Sequence, residues 1–226
     1  MRKQDAAGDY SLAVIVPVAA AEDQWPQFSE AVASLGPIIH VSRRSRPQQL
    51  DASTTWLSID SDGRGAALNA GARAAEDATH LWFVHADSIL PEAAASELAA
   101  AIRRNPQALH YFDLKFHDGP ALMRINEFGV RMRCLLFNAP FGDQAICVPR
   151  SLHEKIGGFP ERVAYGEDHL YVRAARRAGA ACIRLPLAVA TSARKYVNNG
   201  WFKVVCDHQV KCISQALADR TANPPD

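Results

Sequence analysis

The sequence has few cysteines, no long hydrophobic run and no strong excess of charge of either sign. Its 5 cysteines among 226 residues are scattered, odd in number and never form a Cys-x-x-Cys pair, which argues against a disulfide framework and a zinc knot. No window approaches the ~20 apolar residues that a membrane-spanning helix needs. A formal charge of +1 gives no general attraction to nucleic acid. These absences predict a cytoplasmic protein with at most peripheral membrane contact and no nucleic-acid partner.

The length and composition are typical of one sizeable globular domain. With 226 residues, of which 48% are hydrophobic and 22% charged, the chain has enough apolar surface for a real core. We predict a flexible N-terminus over residues 1–10, a single domain over residues 11–218 and a flexible C-terminal tail over residues 219–226.

Short apolar runs alternate with helix-favouring segments along most of the chain. This alternation predicts an α/β fold with a mostly parallel central sheet flanked by helices, whose ligands bind where the strands end. The predicted strands are 12–18, 38–41, 55–59, 81–84, 109–116, 145–148 and 181–185; the predicted helices are 22–35, 65–76, 88–104, 150–155, 167–177 and 200–218; and residues 121–137 have mixed character.

The tripeptide His85-Ala86-Asp87 directly follows the predicted strand 81–84. A carboxylate at a strand end is a hard oxygen ligand for Mg²⁺ or Mn²⁺, and these ions complete their shell with substrate phosphates and water. Asp87 is in the right place for such a role. Asp87 or Ser88 could equally cap the following helix, so this window alone leaves both interpretations open.

Two other acidic windows are candidates for the binding or activation of a sugar. Glu167-Asp168 opens a predicted helix, where a carboxylate is either a general base held in a cleft or a plain helix cap. Asp143-Gln144 offers acceptors and donors that suit polyhydroxy substrates, although the same residues also suit a turn.

The segment Gly63-Arg64-Gly65 leads into a predicted helix that also contains Asn69. It lacks the glycine spacing of both the Rossmann dinucleotide motif and the P-loop, so a dinucleotide site is not favoured. Arg64 could meet a diphosphate through a charge-assisted contact, or the small residues could simply allow close helix packing.

Taken together, these windows resemble family 2 glycosyltransferases, in particular the small branch often encoded with radical-SAM/selenodomain proteins. The similarity runs from about residue 12 to residue 201, and the order of the windows along the chain is more specific than any one of them. The windows are Val14-Ile15-Val16-Pro17-Val18, Gly63-Arg64 through Leu68-Asn69-Ala70-Gly71, Phe83 through Leu90-Pro91, Phe141-Gly142-Asp143-Gln144, Gly157-Gly158-Phe159-Pro160 with Glu167-Asp168, and Thr191-Ser192-Ala193-Arg194.

The resemblance implies a GT-A, Rossmann-like nucleotide-diphospho-sugar transferase fold and an inverting transfer of a sugar to an acceptor hydroxyl. It further implies a nucleotide-diphosphate sugar donor whose diphosphate is bridged by Mg²⁺ or Mn²⁺. Asp87 would be the metal-proximal carboxylate, and Asp168, beside Glu167, would be the general base. The resemblance places Pro17, Arg64, Asn69, His85, Ala86 and Asp87 at the donor, and Asp143 and Gln144 on the acceptor side.

Two segments depart from the family's pattern. Val18 to Glu22 replaces a usual Asn-Glu pair, and the turn at residues 41–45 lacks the aspartate that helps to bind the nucleotide base, so arginines there would have to hold the phosphates instead. These departures keep open a non-catalytic GT-A-like module that binds a nucleotide, a sugar or a protein. A metal-dependent hydrolase or nucleotidyltransferase using His85, Asp87, Asp143 and His169 is a further alternative, and it would need at least three converging protein ligands.

Overall fold

The described part of the chain is built around a seven-stranded sheet. The computed structural model describes residues 10–19, 36–48, 50, 54–61, 63–163 and 165–199. Within these residues the strand order is β3-β2-β1-β4-β6-β5-β7. The strands are β1 (Leu12–Pro17), β2 (Ile38–Ser42), β3 (Thr55–Ser58), β4 (His80–Phe83), β5 (Leu109–Phe116), β6 (Cys147–Pro149) and β7 (Cys182–Thr191).

The sheet is mostly parallel, which confirms the predicted fold class. The pairs β1–β2, β1–β4, β2–β3 and β5–β7 are parallel, whereas β6 is antiparallel to both β4 and β5. Because β4 and β5 are both antiparallel to β6, they point the same way, and the parallel pairs extend this direction to all the other strands. The carboxyl ends of β1, β2 and β4 therefore meet at one edge of the sheet, where a ligand of an open α/β sheet binds.

The predicted helices within the described residues are present, apart from some boundaries, and two further helices, at Met123–Phe137 and Arg194–Asn199, were not predicted. The predicted helix 88–104 begins only at Ala94, and residues 121–137 contain a helix of 15 residues. The predicted helices 22–35 and 200–218 and the predicted flexible termini lie outside the described residues. The helices are α1 (Arg64–Ala74), α2 (Ala94–Arg104), α3 (Met123–Phe137), α4 (Arg150–Lys155), α5 (Glu167–Arg177) and α6 (Arg194–Asn199), with a 3₁₀ turn at Gly142–Gln144.

The last strand is longer than predicted. Pro186 suggests a strand end at Leu185, because proline removes a ladder hydrogen bond. The structure places Pro186 at an irregularity of the β5–β7 pair, where the register shifts between Tyr111 and Asp113, and pairing then continues to Thr191. The extension brings Thr191 alongside Phe116.

Successive side chains of each central strand point into two different apolar layers. In β1, Ala13 and Ile15 join the layer under α1 and α5, whereas Val14 and Val16 join the layer under α2. Helix α1 packs so closely against the sheet that a Cβ at Gly71 would collide with the side chain of Ile15. This close packing fixes the position of Arg64 at the start of α1. No helix in the described ranges is long and apolar enough to cross a membrane.

Candidate active site

A cavity of about 390 Å³ opens at the carboxyl ends of β1, β2 and β4. It holds five of the residues predicted to bind the donor, which come from β1, α1 and the loop after β4. A larger hollow of about 850 Å³ lies around His80 and Pro149, at the opposite end of β4, and it contains none of the predicted site residues. The predicted donor residues in the smaller cavity are Pro17, Arg64, His85, Ala86 and Asp87.

His85 connects this cavity to the Asp168 carboxylate. The backbone N–H of Gly142 donates a hydrogen bond of 2.7 Å to Asp168 Oδ2. A Cβ built on Gly142 would lie 3.1 Å from Asp168 Oδ2 and 3.2 Å from His85 Nε2. The imidazole and the carboxylate are therefore neighbours on either side of a glycine that leaves no room for a side chain.

Asp168 is held by backbone donors at the start of α5. Besides the Gly142 bond, its Oδ1 accepts a hydrogen bond of 2.8 Å from the N–H of His169. Backbone donors at the first turn of a helix stabilise an ionised carboxylate. The side chain is therefore oriented by two backbone groups, as a base with a fixed direction requires.

His85 is a neutral imidazole at neutral pH. Burial holds the pKa of His85 well below its usual range, and the nearby Arg64 guanidinium lowers it further. Its Nε2 atom is shielded from solvent and has no hydrogen-bond partner among the residues that the structure describes. A buried nitrogen of this kind normally has a partner, and none of the described residues provides one.

Asp143 is a second carboxyl group in the same cluster. Burial raises the pKa of Asp143 to about 6; Arg133 and Arg64 oppose this rise, whereas the charge of Asp168 adds to it. Its Oδ1 atom is also shielded, with no hydrogen-bond partner within the described ranges. Two unsatisfied polar atoms, one on His85 and one on Asp143, thus lie near the Asp168 carboxylate.

An ion pair joins the donor cavity to the start of α5. Arg64 Nε lies 3.6 Å from Glu167 Oε1, and the Glu167 side chain is mostly buried. Glu167 is therefore engaged by an arginine, whereas the neighbouring Asp168 turns toward Gly142. The two neighbouring acids therefore have different surroundings.

Asn69 and Gln144 hold loops of the protein in place. Asn69 exchanges two hydrogen bonds of 2.8 Å with the backbone of Phe159 and donates a third to Glu161. The buried Gln144 amide donates to the Phe112 carbonyl and accepts from the N–H of Phe141 and from Arg133. Neither amide lines the cavity, and the substrate contacts expected of Asn69 at the donor and of Gln144 on the acceptor side stay predictions.

The side chains that line the cavity could hold a cation only together with phosphate oxygens of a substrate. The described residues contain no group of three His, Cys, Asp or Glu side chains that could enclose a metal ion. Among the described residues lining the cavity, Asp87 is the one acid. An ion here would be held by Asp87 and completed by substrate oxygens and water, the usual pattern for Mg²⁺.

The loop after β2 has a hydroxyl and an arginine in the region where the family's aspartate is expected. Ser42 and Arg43 both line the cavity. Ser42 Oγ donates a hydrogen bond of 2.9 Å to the Val18 carbonyl and accepts one from the Arg44 N–H. This serine ties the ends of β1 and β2 together.

The sequence did not indicate which residues Gly142 and Arg133 contact in the fold. Arg133 stacks on the Phe141 ring with 3.5 Å between guanidinium carbon and ring centroid, and its Nε donates to the Ala139 carbonyl at 2.8 Å. The available signal for Gly142 was its place before Asp143 in a strand-flanking turn. Nothing in the sequence pattern indicated which distant acid it would contact.

Solved structures identify the fold, whereas no protein-family model and no curated protein sequence match the chain. A mannosyltransferase, PcManGT from Pyrobaculum calidifontis, solved with GDP-Man and Mn²⁺, aligns with a TM-score of 0.69 and 16% identity over 92% of this chain and 64% of its own. TarS of S. aureus aligns with a TM-score of 0.58 and 17% identity over 81% of this chain and 35% of its own. GalNAc-T7, solved with UDP, GalNAc and Mn²⁺, aligns with a TM-score of 0.61 and 10% identity over 81% of this chain and 44% of its own.

The chain therefore has the GT-A fold of nucleotide-sugar transferases, as predicted. It spans about a third of TarS and about two thirds of PcManGT, and at these identities the likeness establishes the fold alone. Membership of family 2 and of its radical-SAM-associated branch stays a prediction.

Proposed function

We propose that the protein is an inverting glycosyltransferase of the family 2 type, which moves a sugar from a nucleotide-diphosphate donor to an acceptor hydroxyl. One observation carries the proposal: the Asp168 carboxylate and His85 Nε2 both lie beside Gly142, and His85 lines a cavity together with Arg64 and Asp87. The proposed base thus lies beside His85, and the proposed cation ligand and diphosphate-binding arginine line the cavity that His85 shares.

Asp168 acts as the general base in a single displacement. It takes the proton of the acceptor hydroxyl as the oxygen attacks the anomeric carbon, and the bond from that carbon to the diphosphate breaks. The diphosphate leaves with the bonding electrons and carries the extra negative charge. Because attack and departure occur on opposite faces of the sugar, the anomeric configuration inverts.

Arg64 and Asp87 serve the leaving group. The Arg64 guanidinium, steered by Glu167, reaches the cavity from the start of α1 and stabilises the departing diphosphate. Asp87 would hold the divalent cation, which supplies further positive charge to the same oxygens. Pro17 and Ala86 shape the walls of this half of the cleft.

The acceptor hydroxyl lies between His85, Asp143 and Asp168. His85 Nε2 and Asp143 Oδ1 are shielded polar atoms without a hydrogen-bond partner among the described residues, and an acceptor hydroxyl reaches them only when the side chains around them move. Gln144 and Asn69 act as positioning residues, since their amides fix the turn of Asp143 and the loop at Phe159.

The second candidate is a GT-A-like module that binds a nucleotide sugar without transferring it. The observation that favours it is the loop after β2, where Ser42 and Arg43 take the place of a base-binding carboxylate. The hydrolase alternative has no such support, because the described part of the chain brings no three metal ligands together.

The test is donor binding followed by turnover. Nucleotide-diphosphate sugars are screened for stabilisation of the full chain against heat, with and without Mn²⁺, because a ligand of the native state raises its melting temperature. At least one donor stabilises the wild-type protein in a Mn²⁺-dependent way, and Asp87→Asn removes the Mn²⁺ dependence. Asp77→Asn, the same change at an exposed acid in the turn after α1, leaves it intact.

Three outcomes separate the candidates. Mn²⁺-dependent donor binding with transfer to an added hydroxyl acceptor supports the transferase. Donor binding without transfer or hydrolysis supports the non-catalytic module. If no donor and no nucleoside diphosphate binds with or without metal, both proposals are wrong.

A further inference from the structure

Helix α3 is apolar on the side that faces away from the core. Met123 and Cys134 are buried against the sheet. Four apolar side chains on the opposite side are more than half exposed: Ile125 at 57%, Phe128 at 64%, Leu135 at 54% and Leu136 at 65%. Together with Leu122, we name these four residues the outer α3 face.

The spacing of these residues produces one continuous apolar strip. At 3.6 residues per turn, Leu122, Ile125 and Phe128 continue along the helix to Leu135 and Leu136. Soluble proteins rarely expose a contiguous apolar patch of this kind unless it binds something. The usual arrangement of a surface helix, with polar residues outward, is reversed here.

The exposed charges beside the strip are positive. Arg124 and Arg131 are exposed and lie one above the other along one edge of the outer α3 face. The acid of this helix, Glu127, turns inward, where its Oε1 accepts a hydrogen bond of 2.7 Å from the N–H of Phe116. An apolar strip edged by arginines is typical of a helix that lies in the headgroup region of an anionic bilayer.

The strip is rigidly connected to the acceptor side of the cleft. Arg133, near the end of α3, donates to the Ala139 carbonyl at 2.8 Å and to Gln144 Oε1 at 3.2 Å. Gln144 belongs to the same short turn as Gly142 and Asp143. A surface that binds the outer α3 face is thereby held at a fixed distance from the acceptor side.

We propose that the outer α3 face binds the surface of an anionic lipid bilayer, with α3 lying in the plane of the headgroups. The charges favour this occupant over a second copy of the chain, because a two-fold contact through this face would bring like-charged arginines close together. The proposal goes beyond glycosyl transfer and does not depend on it.

The test is sedimentation of the full chain with vesicles. Vesicles of phosphatidylglycerol and phosphatidylcholine bind the protein, whereas vesicles of phosphatidylcholine alone bind it far less. The double variant F128E/L136E loses binding to both. The double variant R124Q/R131Q binds the anionic vesicles more weakly, by about fivefold for each arginine at low salt. Ile89→Glu, a matched change at an exposed apolar residue outside the outer α3 face, binds like the wild type.

Melting temperatures and sedimentation equilibrium exclude the other occupants. Because the replaced side chains are exposed, F128E/L136E melts within a few degrees of the wild type. A strongly lowered melting temperature or an unfolded variant means that the strip is part of the protein's own packing, and this result overturns the proposal. A wild-type dimer that F128E/L136E dissociates overturns it in favour of a second copy. Failure of the wild type to bind anionic vesicles also overturns it.

Discussion

The two halves of the cleft are built differently. The base half, around Gly142, Asp143 and Asp168, is hydrogen-bonded and largely shielded from solvent, and it holds the predicted acids other than Asp87. The donor half, around Ser42 and Arg43, has a buried serine and an exposed arginine where the glycosyltransferases that the sequence resembles have a carboxylate. The contrast teaches that the acids of the base half are fixed by hydrogen bonds and packing, whereas Arg43 in the donor half is exposed to solvent.

Gly142→Ala should produce the largest effect on the base half. Its Cβ would be 3.1 Å from Asp168 Oδ2 and 3.2 Å from His85 Nε2, so one of the two groups must move. We expect turnover to fall by about 10- to 100-fold, since misplaced catalytic groups lose near-attack geometry, while donor binding changes little. Steady-state kinetics with a donor titration check this.

Gly129→Ala is the matched control for that change. A Cβ at Gly129 would meet nothing within 4 Å, and alanine is favoured in a helix interior. Equal losses in the two variants would mean that Gly142 has no special relation to Asp168.

Arg64→Gln should lower the affinity for the donor by about tenfold, because a charge-assisted contact to the diphosphate is lost. Arg73→Gln on the same helix is the control, because its side chain is 71% exposed and pairs with Glu161. Isothermal titration with a nucleoside diphosphate measures both. Equal affinities for the two variants would remove Arg64 from the donor site.

Asp143→Asn should stabilise the protein. The pKa of Asp143 is raised to about 6 in the folded chain, so the native state binds more protons than the unfolded one between about pH 4 and pH 6. The free energy of unfolding therefore falls as pH rises through this window and stays reduced above pH 6.

The asparagine removes this cost, which is about 3 kcal/mol at neutral pH. We expect the melting temperature at pH 7.5 to rise by about 6–12 °C, with a smaller gain at pH 4. Thermal melts across pH check this. An unchanged or lowered melting temperature at pH 7.5 would show that the charged form of Asp143 is well accommodated.

Arg43→Gln should have the smallest effect. Arg43 is exposed, so its attraction to a diphosphate is screened by salt and water. We expect a two- to fivefold loss of donor affinity at low salt that disappears at high salt. A loss as large as that of Arg64→Gln would mean that the loop after β2 has taken over phosphate binding.

The sequence predicted the parts of the fold that follow from short apolar runs. The strands at Leu12–Pro17 and His80–Phe83 are buried on both faces, and this pattern is visible without a structure. Helix α3 was not predicted because its outward side is apolar, which removes the polar and apolar periodicity that marks a surface helix. The boundary of α2 and the length of β7 depend on tertiary contacts that no local pattern contains.

The same limit applies to the site. The strand ends indicated Asp87 and Arg64, since the position of a residue relative to a parallel strand is a local property. The contact between Gly142 and Asp168 joins residues 26 apart, and the buried Gln144 is held by hydrogen bonds to β5, α3 and Phe141. Such long-range pairings arise from packing.

The central claim is that Asp168 takes a proton while other residues hold the donor. Turnover and donor dissociation constant are measured together for Asp168→Asn. The account predicts a fall in turnover of about 10²- to 10⁴-fold with a donor dissociation constant within about threefold of the wild type, because the leaving-group contacts are unchanged. Wild-type turnover in Asp168→Asn, or a loss confined to donor binding, would contradict it.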